Sequence, residues 1–205
     1  MEILASPPAI EWGYASRARP GQATSGDLPV VKAFPGGVLI AALDGIGHGD
    51  EAAAAARAAG AILAAHAADP ITALFQRCHE ALRATRGVVM SVASLDVSRG
   101  LIKWLGVGNV EGVLLRKRSV NAAEESLLLR AGVVGLRLPS LSIDTVPVFE
   151  GDTLILATDG IQSSFARGLA ESQGPSRAAE SILAKHGKTN DDALVLVVRF
   201  LAGHP

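Results

Sequence analysis

The middle third of the chain constrains the fold most, because it holds a succession of short apolar segments with no helix-length segment between them. Six predicted β-strands lie at residues 88–97, 101–107, 113–117, 126–130, 145–149 and 153–157. Turn-forming sequences such as SRG, GNVEG and EGD separate several of these strands. A doubly wound parallel fold needs a helix between most consecutive strands, so this pattern argues against it.

Further strands and three helices flank this region. The strands are predicted at residues 10–19, 28–34, 38–43 and 193–201, and the helices at residues 51–67, 70–84 and 175–186. Two antiparallel sheets packed face to face, with helices outside, would bury all of these apolar segments. We therefore expect an α+β protein with a four-layer αββα sandwich. No repeat, low-complexity segment or linker is visible, which predicts a single domain over residues 1–205.

Composition limits the classes of function. The chain is 49% hydrophobic and 19% charged, which is unlike a disordered chain, and its net charge of -1 lacks the basic excess of nucleic-acid-binding proteins. The single cysteine, Cys78, excludes an internal disulfide framework and a multi-cysteine zinc site. The alanine-rich stretch at 52–68 contains Arg57 and His66, and Glu2 stands where a signal peptide carries basic residues. We expect a cytoplasmic monomer that binds neither nucleic acid nor membranes.

Acidic residues stand at predicted strand ends or in turns, next to small residues. They are Asp27 in SGD, Asp44 in DGIGHG, Asp159 in TDGI, and Asp191 and Asp192 in NDDALVLVV. If their strands are neighbours, the carboxylates meet at one end of the sandwich, and their repulsion calls for a cation. Carboxylate oxygens suit Mg²⁺ and Mn²⁺, and a pair of such ions can activate water and neutralise a phosphoryl group. The alternative is that acid–glycine pairs are ordinary turn residues.

Taken in order, the segments SGD, DGIGHG, GVGNVEG, TDGI and DDALVLVV resemble the motifs of the metal-dependent protein serine/threonine phosphatases of PP2C (PPM) type. The chain resembles most closely their bacterial SpoIIE-like branch, which includes stressosome phosphatases. The resemblance runs from Ala15 to Arg199. It implies an αββα sandwich with two Mn²⁺ or Mg²⁺ ions per site.

The same resemblance implies roles for individual residues. Asp44 would bridge the two ions, and the Gly45 carbonyl would bind one of them. Asp159 and Asp191 would bind the second ion, and Asp27 would hold metal-bound water or a ligand. Asp44 and Asp27 are therefore the expected catalytic residues.

Three further residues are candidates for positions around the metal ligands. Asp192 stands beside Asp191, and the sequence leaves open which of the two binds metal. His48 and Asn109 are further candidates for residues that surround the ligands, although Asn109 could equally belong to a left-handed turn. Ile46 stands where the animal enzymes carry a histidine that is proposed as general acid, and that role is not transferred to His48.

The resemblance implies hydrolysis of phosphoserine or phosphothreonine on a signalling protein. Its expected partners are phosphorylated STAS-domain proteins of the stressosome, so that dephosphorylation would reset a bacterial stress response. Two alternatives stay open: a phosphatase-fold binding module without turnover, and a two-metal hydrolase of a small phosphoester. Leu194, where Thr or Ser is common, favours the first, as does the lack of a clear phosphate-binding arginine, although Arg17 and Arg19 lie near.

Overall fold

The computed structural model describes residues 9–117, 124–166 and 174–201. Its strands are β1 (Ile10–Arg17), β2 (Asp27–Phe34), β3 (Gly37–Gly45), β4 (Val88–Asp96), β5 (Leu101–Val107), β6 (Glu111–Leu115), β7 (Glu124–Ser126), β8 (Leu129–Arg130), β9 (Asp144–Pro147), β10 (Thr153–Ala157) and β11 (Ala193–Phe200). Its helices are α1 (Asp50–Ala65), α2 (Ile71–Ala81) and α3 (Pro175–His186). Apart from the strand expected at residues 126–130, the predicted elements are recovered, with shifts of a few residues at most ends.

The strands form two sheets. The five-stranded sheet has the order β1-β11-β10-β6-β7, and the six-stranded sheet has the order β2-β3-β4-β5-β8, with β9 also paired to β5. All pairings are antiparallel except the short parallel pairing of β8 with β5. This confirms the predicted α+β architecture.

Three hydrophobic layers hold the sandwich together. The first joins α1 and α2 to the six-stranded sheet, the second lies between the two sheets, and the third joins α3 to the five-stranded sheet. β3 and β11 are apolar on both faces because each has a helix on one side and the opposite sheet on the other. Among the described residues, no helix combines the length and apolar character that crossing a membrane requires.

One predicted strand is wrong. Residues 126–130 were expected to form a single strand, but β7 ends at Ser126 in the five-stranded sheet and β8 begins at Leu129 in the other sheet. Leu127, between them, is buried in the layer that separates the sheets, whereas Leu128 is exposed. The crossing is fixed by packing between the sheets, which local sequence does not encode.

Candidate metal centre

Two of the predicted site residues lie side by side on the six-stranded sheet. Asp27 is the first residue of β2, Asp44 is the last but one of β3, and the antiparallel register places them directly opposite each other. Asp27 is 8% exposed, and Asp44 is half-buried. Like charges opposite each other in a sheet are destabilising, so this pairing calls for compensation.

The other acidic residues belong to the five-stranded sheet and lie at the same end of the sandwich as Asp27 and Asp44. Asp159 follows the end of β10 by two residues, and Asp191 and Asp192 directly precede β11. β10 and β11 are antiparallel neighbours, and the Thr158 N–H extends their pairing by donating to the Leu194 carbonyl at 3.1 Å. The structure therefore brings together all five acidic residues that the sequence singled out.

Hydrogen bonds join the two sheets at this end. The Thr158 hydroxyl donates to Asp27 Oδ2 at 2.7 Å. Asp192 accepts from the backbone N–H of Gly26 at 2.8 Å and from that of Arg19 at 2.7 Å, using one carboxylate oxygen for each. These bonds tie the loop before β2 to the start of β11, and they occupy both oxygens of Asp192.

The electrostatics of the cluster are those of crowded carboxylates. Burial raises the pKa of Asp27 to about 7, although the Thr158 hydrogen bond opposes the shift. The charges of Asp192, Asp159 and Asp191 reinforce it. Burial also raises the pKa of Asp44 to about 8, and the neighbouring Asp27 adds to the shift. The pKa of Asp159 is raised by burial and by Asp191. A cation bound among these groups would remove the repulsion.

Both Asp–Gly pairs need glycine because another backbone segment lies too close to leave room for a side chain. A Cβ on Gly45 would overlap the carbonyl oxygen of Ala52 in the first turn of α1. A Cβ on Gly160 would overlap the carbonyl oxygen of Asp192. Neither glycine is among those with positive φ, so these pairs are more than turn-forming sequences. They let α1 and the β11 loop approach the backbone that carries Asp44 and Asp159.

The remaining candidates differ in how close they come to the cluster. Asn109 reaches it, because its Nδ2 donates to Asp159 Oδ2 at 2.8 Å. Asp191 is half-buried, and its Oδ1 accepts from the Asp192 N–H at 3.0 Å. His48 lies exposed in the loop before α1, and in the part of the chain that the structure describes no hydrogen bond joins it to an aspartate.

The oxygen donors of the cluster suit hard divalent cations. Within the described ranges, no three His, Cys, Asp or Glu side chains are placed closely enough to enclose an ion by themselves. Mg²⁺ usually keeps several waters and takes only one or two carboxylates, so a set of separated carboxylates suits it. The all-oxygen donors and the raised pKa values of Asp27 and Asp44 fit such ions.

Sequence reasoning missed two residues of this region. Thr158 precedes the Asp159–Gly160 pair in TDG, and its position next to that motif was the available signal. Lys188 lies in the loop after α3, and its Nζ donates to the Asp159 carbonyl oxygen at 2.6 Å. Nothing in the local sequence HGKTN marks this lysine, since the contact joins segments 29 residues apart.

Comparisons with known proteins agree with this geometry. A family model described as Stage II sporulation protein E (SpoIIE) matches residues 35–201. Phosphoserine phosphatase RsbX of Bacillus subtilis (strain 168) is 23% identical over 141 residues, which make up 69% of either protein.

Solved structures extend the likeness to nearly the whole chain. A chain from "The bacterial stressosome: a modular system that has been adapted to control secondary messenger signaling" is 33% identical, with a TM-score of 0.86 and coverage of 93% of this chain and 99% of that one. The "Crystal structure of RsbX in complex with magnesium in space group P1" is 20% identical, with a TM-score of 0.82 and coverage of 93% and 95%. The resemblance expected from the ordered motifs is confirmed.

Proposed function

Because this chain belongs to the SpoIIE family of PP2C-type phosphatases, we propose that it is a metal-dependent hydrolase of phosphoserine and phosphothreonine on a signalling protein. The observation that carries the proposal is the convergence of the five aspartates at one end of the sandwich. Their burial and mutual repulsion raise the pKa of Asp44 to about 8, which is a costly arrangement without bound cations.

Position and hydrogen bonding support the metal ligands that the family resemblance implies. Asp44 and the Gly45 carbonyl would hold Mn²⁺ or Mg²⁺ on the six-stranded sheet, and Asp159 and Asp191 would hold it on the other sheet. Asp191 is preferred to Asp192 because both oxygens of Asp192 already accept backbone N–H groups. Two such ions, when bound, supply an activated water and neutralise phosphoryl oxygens.

The chain's own groups prepare the site for this chemistry. The Thr158 hydroxyl orients the Asp27 carboxylate, which can then hold a water or a substrate oxygen next to Asp44. The Asn109 amide orients the Asp159 carboxylate in the same way. Asp192 fixes the loop before Asp27, so the two sheets keep their carboxylates at a constant separation.

The proposed substrates are phosphorylated STAS-domain proteins of a stressosome. Support comes from the RsbX relative, which is named a phosphoserine phosphatase, and from the 33% identical chain of a bacterial stressosome system. On this proposal, dephosphorylation returns the signalling complex to its resting state.

The test is phosphate release from a phosphoserine STAS-domain protein with Mn²⁺, with chelator, and with the Asp44→Asn variant. We expect activity only in the first case. Asp96→Asn is the matched control, because Asp96 lies at the far end of β4 and pairs with Ser98 and Arg99. Undiminished release by Asp44→Asn would contradict the proposal.

A parallel comparison separates the alternatives. Turnover of a nucleoside monophosphate in preference to the intact phosphoprotein would identify a small-phosphoester hydrolase. Binding of the phosphoprotein without turnover, under conditions in which calorimetry shows bound Mn²⁺, would identify a binding module.

A further inference from the structure

Lys188 is an exposed lysine whose side chain is held against the candidate site. It lies in the loop between α3 and β11, and its Nζ donates to the Asp159 carbonyl oxygen at 2.6 Å. Its backbone N–H donates to the Gly160 carbonyl at 2.7 Å, and its carbonyl accepts from Arg17 Nη2 on β1. Backbone and side chain are thus both fixed, and the ammonium group stays beside the Asp159 loop.

This ammonium also acts electrostatically on the carboxylate cluster. It opposes the rise in the pKa of Asp159 that burial and Asp191 produce. The charges that raise the pKa of Asp44, by contrast, all belong to other aspartates. Lys188 therefore places a positive charge beside the acidic cluster.

The charge balance of the site with two bound cations indicates a role for this lysine in attracting the substrate. The five aspartates of the cluster carry five negative charges when ionised, whereas two divalent cations carry four positive charges. A phosphate monoester dianion entering the loaded site would then meet little net attraction from this set. A protein cation at the rim would supply it, and a lysine ammonium is a common phosphate-binding group.

We propose that Lys188 binds the phosphate group of the substrate and acts as a specificity-determining residue for phosphate monoesters. An ammonium group carries three N–H donors, and the bond to Asp159 uses one of them. Arg17 donates a hydrogen bond to the Lys188 carbonyl and so helps to hold the lysine in this position. The inference rests on the proposed phosphatase function and adds a residue outside the five sequence segments that carry the family resemblance.

The competing interpretation is that Lys188 only clamps the Asp159 loop in place for metal binding. The two interpretations predict different changes in Mn²⁺ affinity when the lysine is removed. A loop clamp would lose metal affinity when the lysine is removed, whereas a phosphate-binding cation repels the metal and its removal would leave Mn²⁺ affinity equal or higher. Metal affinity, measured without substrate, therefore separates the two roles.

The experiment uses Lys188→Met, with Lys188→Arg as the conservative variant and Lys185→Met as the matched control. Lys185 is exposed in the last turn of α3, so its loss removes the same charge nearby. With a phosphoserine peptide at saturating Mn²⁺, we expect KM for Lys188→Met to rise about tenfold, the loss typical of a charge-assisted hydrogen bond. The value of kcat should change much less, and Lys188→Arg and Lys185→Met should resemble the parent protein.

Calorimetry supplies a readout that does not need turnover. Inorganic phosphate should bind the Mn²⁺-loaded Lys188→Met protein more weakly than it binds Lys185→Met, while Mn²⁺ itself binds both variants equally well. Unchanged KM and phosphate affinity, or a loss of Mn²⁺ affinity in parallel with kcat, would overturn the inference. If the parent protein releases no phosphate from a phosphoprotein yet binds inorganic phosphate through Lys188, the proposed function fails, whereas the phosphate-binding role of Lys188 is retained.

Discussion

Asp27 and Asp44 are cross-strand partners on β2 and β3, so two carboxylates face each other at the end of a sheet. Burial is the main reason why their pKa values rise to about 7 and about 8. A pairing of this kind opposes folding, because like charges directly opposite each other destabilise a sheet. Residue placements that lower the stability of the fold are typical of functional sites.

The stability of the metal-free protein should fall as the pH rises. The folded pKa values of Asp27 and Asp44 lie above the ordinary aspartate value of 3.8, so the folded state binds protons that the unfolded state has lost. Their contribution is fully present below 3.8 and is lost as the pH rises through about 7 to 8. Urea denaturation in chelator across this window measures the effect, and Asp44→Asn should flatten the slope. Parallel pH curves for the two proteins would contradict the assignment.

Thr158→Val should weaken both the fold and the site. The hydroxyl donates to Asp27 Oδ2 and accepts from the Leu194 N–H at 2.9 Å, so valine leaves a buried amide and a buried carboxylate without this partner. We expect a loss of about 1–3 kcal/mol in the free energy of unfolding, together with a further rise in the pKa of Asp27. Thr158→Ser, which keeps the hydroxyl, should recover most of the loss in denaturation experiments. Equal stability of the two variants would exclude a role for these hydrogen bonds.

Asp191→Asn and Asp192→Asn should have different effects. Removing the Asp191 carboxylate should weaken Mn²⁺ binding by about tenfold or more, with little change in stability. Asparagine at position 192 has a single acceptor oxygen for the two N–H groups of Arg19 and Gly26, and should cost about 1–3 kcal/mol of stability. Calorimetry with Mn²⁺ and chemical denaturation measure the two effects. Greater loss of metal affinity in Asp192→Asn would reverse the ligand assignment.

Gly160→Ala should destabilise the protein by about 1–3 kcal/mol, because the added methyl overlaps the Asp192 carbonyl oxygen. Gly174→Ala is the matched control, since within the described part of the chain its methyl would meet only Glu11 Oε1 at 3.9 Å. Position 174 is the N-cap of α3, so alanine there should cost no more than about 1 kcal/mol. Thermal denaturation of the two variants compares them directly. Equal melting temperatures would mean that the loop before β11 moves to make room for a side chain at position 160.

The sequence located the acidic site because each aspartate stands at the end of an apolar strand, where polarity changes abruptly. β10 was predicted to the residue, since Thr153–Ala157 lies between a turn and an Asp–Gly pair. The switch between β7 and β8 escaped prediction because burial of Leu127 depends on the facing sheet. The contacts of Asp192 and Lys188 escaped it as well, because their partners lie far away along the chain.

The aspartates are divided between the two sheets, with Asp27 and Asp44 on one and Asp159, Asp191 and Asp192 on the other. An ion shared by both sets would work as a removable cross-link between two layers that otherwise adhere through apolar packing and the hydrogen bonds of Thr158 and Asp192. Opening the sandwich at this end would then require release of the ion, so resistance to unfolding would follow the free metal concentration. Loss of the cation would then abolish catalytic competence and, at the same time, lower the resistance of this end of the sandwich to opening.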